Sequence, residues 1–233
     1  MKLERGNIRG LEFYHRPGFS DLKTFEEVLG RRTYEARGMT IAPGEHWMDC
    51  GGNVGAFALL ACSMGAKVTV YEPDPFNVRM IQRNLRLNSF DAEVVQAALV
   101  ADERKEATLF VGNNGNVWRN SLHKRWNNQA VHVPCRNFDG EVRAHAFDAC
   151  KMDIEGAEMP ILEVTETLFR KLVYEWSFDI DPRLSRLWNV IDRQKAQGYE
   201  VRAAWGSIKY ETRDYETWQA SWFPACTNVF CYA

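Results

Sequence analysis

Apolar positions along the chain switch between two periods. Short β-branched or apolar runs alternate with stretches whose apolar residues recur every three or four positions. That alternation predicts a mostly parallel sheet with helices on both faces. Residues 47–50 (Trp-Met-Asp-Cys) predict a first strand after the turn Pro43-Gly44. Residues 53–64 are continuously small and apolar and predict a helix, with Gly65 where a C-cap glycine belongs. Residues 67–71 form a second, β-branched strand. Asp74 then supplies an N-cap, Pro75 suits the first helical position, and Val78, Ile81 and Leu85 recur at helical spacing.

Farther along, residues 92–99 predict a third strand, and 107–111 with 131–135 predict a small inserted hairpin around a polar loop. Residues 147–154 and 172–178 read as core strands, with a helix near 160–169 between them. An amphipathic helix over 183–197 ends at Gly198, and two last strands follow at 199–205 and 227–232. Residues 1–42 are charged and partly helical. They are expected to cap the sheet, with 43–233 forming the main domain of a single-domain chain.

The length of 233 residues fits one large α/β domain, and 45% apolar residues are enough for a full core. A net charge of −2 lacks the overall basicity that drives non-specific binding to phosphate backbones. No run approaches the roughly 18 to 20 apolar residues of a membrane span. The polar start Met1-Lys2-Leu3-Glu4 does not resemble a signal peptide. Six scattered cysteines without a C-x-x-C pair read as reduced thiols of a cytoplasmic protein, and isolated histidines give no zinc pattern.

Chemistry concentrates at the first strand-to-helix turn, Asp49-Cys50-Gly51-Gly52-Asn53-Val54-Gly55. Glycines let the backbone turn sharply and approach a ligand there, and helix N-terminal amides face the crevice. The spacing differs from the G-x-G-x-x-G of dinucleotide binders. An opening carboxylate repels a pyrophosphate but accepts from an ammonium, which favours S-adenosylmethionine over NAD. Glu72 closes the second strand, 17 residues after Gly55, where an acid can hold ribose hydroxyls. The plainer alternative is a tight turn, with Glu72 capping the following helix.

Three motifs resemble the FkbM family of methyltransferases in order and spacing. They are the turn from Asp49 to Gly55, Tyr71-Glu72-Pro73-Asp74-Pro75 with Arg83-Asn84-Leu85, and Lys151-Met152-Asp153-Ile154-Glu155-Gly156-Ala157-Glu158. The last, of the form K-x-D-x-E-G-x-E, is the most specific, and the resemblance spans about residues 41–180. It implies a Rossmann-like class I methyltransferase fold with a seven-stranded sheet and a reversed last strand. It also implies methyl transfer, usually to a hydroxyl oxygen. By position, Asp49, Gly51, Gly52, Asn53 and Gly55 would line the methionine end of S-adenosylmethionine, Glu72 and Pro73 the ribose, and Ala98 the adenine. Cys50 stands where the family more often has an aliphatic residue.

Lys151, Asp153, Glu155 and Glu158 follow a core strand, at the end where open α/β sheets bind ligands. Asp153 is the expected contact to the acceptor or the transferring methyl, and Glu155 or Glu158 the candidate base. Alternatively Lys151 pairs with one acid and Glu158 caps a helix. Clustered oxygens could hold magnesium, but no second carboxylate or histidine set completes a metal site. The 112–128 loop, with Trp118, Arg119 and Trp126, and the aromatic 206–226 segment are expected to flank the acceptor entrance. The expected acceptor is a small molecule or glycan. A nucleic-acid substrate held by the basic 119–125 stretch, or a non-catalytic cofactor-binding protein, are the alternatives. No membrane partner is expected, and the sequence leaves the oligomeric state open.

Overall fold

The computed structural model describes residues 2–112, 120–125, 129–177, 180–203 and 226–233. Strands β1 (Glu4–Ile8) and β2 (Leu11–His15) pair as an antiparallel hairpin, followed by helix α1 (Asp21–Phe25). The main sheet uses β3 (His46–Cys50), β4 (Lys67–Tyr71), β5 (Glu93–Val95), β9 (Ala149–Met152), β10 (Lys171–Ser177), β11 (Glu200–Ala203) and β12 (Cys226–Tyr232). Its seven strands lie in the order β11-β12-β10-β9-β3-β4-β5. Pairing is parallel from β5 through β10, and β12 runs antiparallel to both β10 and β11. This is the expected Rossmann-like sheet with one reversed strand.

Two cores sit on its two faces. Helices α2 (Ala56–Ser63) and α3 (Pro75–Leu87) pack with the N-terminal segment around Phe13, Phe25, Trp47 and Phe57. Helices α5 (Glu158–Leu162) and α6 (Leu184–Ala196) pack on the other face around Tyr174, Trp176 and Trp188. The period of two explains the division: in β3, Trp47 faces one core while Met48 and Cys50 face the other. Helix α3 starts as its sequence predicts, with Asp74 accepting from the Phe76 amide at 2.7 Å and Pro75 in the first turn. Helix α2 ends at left-handed Gly65 (φ 83°), and the Ala66 amide returns to Ala61 O.

The structure departs from the sequence reading in three places. The third strand is split: β5 ends at Val95, and β6 (Ala98–Val100) leaves the main sheet to join the insertion. There β7 (Glu106–Phe110) and β8 (Ala130–Asn137) form the expected hairpin, with β6 parallel to β8. The Ala97 amide folds back onto Val95 O at the break, so continuous apolar character hid a change of sheet. The helix expected near 160–169 is the shorter α5, and α4 (Phe138–Ala144), capped by Asn137, follows the insertion.

The third departure is the N-terminal hairpin, which the sequence reading did not predict, although the helical turns expected in residues 1–42 follow it. Its β2 edge is satisfied by side chains of α3. The Asn88 amide group bonds the N–H and C=O of Glu12, and Asn84 bonds those of Tyr14. Two asparagines one helical turn apart thus imitate a neighbouring strand. Asn84 Nδ2 also donates to Val54 O, which ties the hairpin to the glycine turn. No helix among the described residues is long and apolar enough to cross a membrane.

Candidate active site

The site is a crevice at the C-terminal ends of β3, β4 and β9, enclosing roughly 630 Å³ of space that includes open solvent. Of the residues expected to bind cofactor, Gly51, Asn53, Glu72, Pro73 and Ala98 line it, as do Asp153 and Glu155. The peeled segment adds Ala97 and Leu99, and the insertion adds Leu109, Asn120 and Leu122.

Gly51 is fixed by close approach. It is left-handed (φ 84°), and a methyl group there would meet the Asp153 carbonyl oxygen at 1.9 Å. Gly52 and Gly55 serve packing instead. A methyl on Gly52 would strike Val70 at 2.2 Å, and one on Gly55 would press on the Ile81 backbone. The Asn53 amide donates to Glu72 Oε2 at 2.7 Å, and the Asp74 amide to Glu72 Oε1 at 2.9 Å. Burial pushes the Glu72 carboxyl up to about 8 against these two donors.

Asp49 lies behind the crevice, fully buried, with Lys151 Nζ 3.1 Å from its Oδ1. The pair is cross-strand, since Asp49 stands opposite Lys151 in the β3–β9 register. Lys151 also donates to Gly51 O at 2.7 Å and Cys50 O at 3.3 Å. Burial works against charge on both groups, pulling Asp49 toward its neutral form. The Asp49 and Asp153 carboxylates nevertheless hold Lys151 protonated above its ordinary range. Of the two tendencies the ion pair prevails, because the Cys50 and Gly51 carbonyls accept from the ammonium while Asp49 faces it at 3.1 Å. Asp49 therefore braces the turn from below in this structure.

The acids after β9 divide by role. Glu158 is 3% exposed, and its oxygens accept from the Ile154 amide at 2.5 Å and the Gly156 amide at 2.7 Å. Burial first, then Asp153, pushes its carboxyl up to about 7. It closes the loop that carries Asp153 and Glu155, and it does not line the crevice. Glu155 does, in a left-handed backbone (φ 52°), and its carbonyl accepts from Ser121 Oγ at 2.5 Å. Asn120 Nδ2 donates to Asp74 Oδ2 at 2.9 Å, so the insertion is pinned on both sides of the crevice.

Two contributions escaped the sequence reading. Tyr34, from a 3-10 segment at Thr33–Gly38, donates to Asp153 Oδ2 at 2.7 Å. Glu175, on β10, completes a group with Asp153 and Glu155 whose carboxylate oxygens lie within 4.8 Å of one another. Burial, then Asp153 and Glu158, raises the Glu175 carboxyl well above its usual range. Trp118, Arg119 and Trp126, expected at the acceptor entrance, lie outside the described residues, as does nearly all of the aromatic 206–226 segment.

Fit to S-adenosylmethionine follows from donor chemistry and shape. Asn53 Oδ1 is buried at the crevice with no hydrogen-bond partner among the described residues, an acceptor suited to an ammonium or a hydroxyl. Gly51 leaves the backbone bare, and Glu72 brings a carboxyl to the strand tip. The residues present match that ligand.

The sequence profile of the methyltransferase FkbM domain matches residues 49–201. No curated protein matches the chain. Among solved structures, the chain is similar to the Pyrococcus abyssi tRNA (uracil-54, C5)-methyltransferase in complex with S-adenosyl-L-homocysteine. The TM-score is 0.51 at 15% identity, covering 100% of this chain and 45% of that one. It is also similar to the precorrin-6y C5,15-methyltransferase from Geobacter metallireducens, with TM-score 0.50, 12% identity and 89% of each chain covered. These two likenesses concern the fold. With the family match over most of the sheet and the crevice beside it, the chain belongs to the FkbM methyltransferase family and is an S-adenosylmethionine-dependent methyltransferase.

Proposed function

We propose that the enzyme methylates a hydroxyl oxygen on a neutral or cationic small molecule or glycan. The observation that carries this reading is the gathering of Asp153, Glu155 and Glu175 beside the crevice. A phosphate-rich acceptor would meet like charge there, whereas hydroxyl groups would meet acceptors. Gly51 and Asn53 would hold the methionine end of the cofactor, Glu72 and Pro73 the ribose, and Ala97 to Leu99 the adenine. Bound S-adenosylmethionine supplies a methyl group on a sulfonium with a good leaving group.

The protein's work is then alignment, exclusion of water and removal of one proton. Asp153 orients the acceptor. Glu155 takes the hydroxyl proton, since both Glu158 oxygens are occupied by backbone amides. No metal is invoked on this reading, and burial disfavours the ionised form of Glu175 that a cation would need. Activity that disappears in a chelator and returns with magnesium would contradict that point.

The test is incubation with methyl-labelled cofactor and cell extract separated into small-molecule, glycan and nucleic-acid fractions. Label is expected in a small-molecule or glycan fraction, in an alkali-stable ether. Asp153→Asn is expected to slow transfer by about 10²- to 10⁴-fold. Label confined to nucleic acid, with binding that falls steeply with salt, would overturn the proposal.

A further inference from the structure

We propose that Tyr34, supplied by the N-terminal segment, is a positioning residue of the transfer site that holds the Asp153 carboxylate for the acceptor. The inference rests on the reading of Asp153 as the acceptor contact. Sheet parity brings the two together. Asp49 shares a face of β3 with Trp47, and the N-terminal segment covers that face. Tyr34, Met39 and Ile41 are buried in the same core as Trp47 and Phe57. The Tyr34 ring is 7% exposed, stands edge-on to Phe57 at 5.7 Å, and passes 5.4 Å from Lys151 Nζ.

Packing explains the ring and leaves the hydroxyl unexplained. A phenylalanine would fill the same space and face the same ammonium. The hydroxyl instead reaches out of the core to Asp153 Oδ2 at 2.7 Å. Burial, then Asp153, holds the phenol well above its usual range, so it remains an O–H donor.

Asp153 needs such a donor because its loop fixes only its backbone. Its amide donates to Cys50 O at 3.0 Å, and its carbonyl presses against Gly51. The side chain projects toward the crevice, with carboxyl oxygens of Glu155 and Glu175 within 4.8 Å. Lys151 Nζ already serves Asp49, Gly51 O and Cys50 O. A neutral donor from outside the sheet restrains rotation of the carboxylate without bringing a cation that would repel a sulfonium.

The test compares wild type, Tyr34→Phe, Asp153→Asn and the double variant. Transfer of labelled methyl is followed into the extract fraction that accepts it. Calorimetry with S-adenosylhomocysteine, thermal unfolding, and carbon-13 NMR of labelled aspartate carboxyls complete the set. Tyr34→Phe is expected to lower maximal rate about tenfold, with acceptor KM and cofactor Kd within about twofold. The carboxyl resonance that disappears in Asp153→Asn should shift in Tyr34→Phe. The double variant should be no slower than Asp153→Asn alone, because the hydroxyl acts through that carboxylate.

A wild-type rate in Tyr34→Phe beside an inactive Asp153→Asn would overturn this inference and leave the reading of Asp153 standing. An equal further loss in both backgrounds would also overturn it, marking a tyrosine that only packs. Full activity in Asp153→Asn would remove the reading of Asp153 itself, and the inference with it.

Discussion

The backbone amide of Asn53 donates to Glu72 Oε2 at 2.7 Å, joining the glycine turn to the acid at the tip of the neighbouring strand. Glu72 thus joins the turn after β3 to the segment after β4. The carboxyl that links them is buried.

Glu72 should make nucleoside binding pH-dependent. Its carboxyl titrates near 8, and ribose hydroxyls donate best to the ionised form. Binding of 5′-methylthioadenosine, which lacks the titrating amine of the full cofactor, should tighten as pH rises from 6 to 9. Glu72→Gln should flatten that slope and weaken binding about tenfold at pH 9. An unchanged slope in the variant, measured by calorimetry, would refute the assignment.

Stability without ligand should move the opposite way. The folded-state carboxyls of Glu72 and Glu158 are raised from an ordinary 4.5 to about 8 and about 7. The folded protein thus retains protons that the unfolded chain releases. This contribution is fully present below pH 4.5 and is lost as pH climbs through 7 and 8. Melting temperature should fall across that window, and less so in Glu72→Gln. A flat profile would argue against both shifts.

Gly51 and Gly44 form a matched pair. Both are left-handed, at φ 84° and 81°, but a methyl on Gly44 would meet nothing within 4 Å. Gly44→Ala should cost about 1–2 kcal/mol from backbone strain alone. Gly51→Ala should cost clearly more and abolish cofactor binding, because the Asp153 carbonyl must move. Equal melting temperatures for the two variants would show that the close approach carries no weight.

Glu158→Gln separates a structural acid from a catalytic one. An amide cannot accept from both the Ile154 and Gly156 N–H groups, so one donor is left unpaired. The loss should be roughly 1–3 kcal/mol, or several degrees in melting temperature. Cofactor affinity should fall modestly, and transfer should lose far less than in Glu155→Gln. Unchanged stability with transfer abolished would restore Glu158 as the base.

Much of this was legible in the residues. The turn and Glu72 announce themselves through glycine spacing and strand context, and five of the eight expected cofactor residues line the crevice. Asp49, Gly52 and Gly55 carry the same motif but do not line the crevice: Asp49 faces Lys151, and Gly52 and Gly55 pack against Val70 and Ile81. Which way a side chain leaves a tight turn depends on partners such as Lys151 and Ile81, far away in sequence. Tyr34 was illegible for a related reason. It is a lone aromatic in a charged stretch, and only sheet parity shows what it reaches. The strand after Glu93 looked continuous because both β5 and β6 are apolar, and periodicity does not report which sheet an apolar run joins.

The asparagine rungs of α3 bear on how far this chain can be shortened. Trimming to a start near residue 43 would strip Glu12 and Tyr14 from Asn88 and Asn84, leaving the two side-chain oxygens without the backbone donors they accept from. The catalytic half would lose its brace and its phenol in one cut. Shortened versions are therefore expected to need the hairpin.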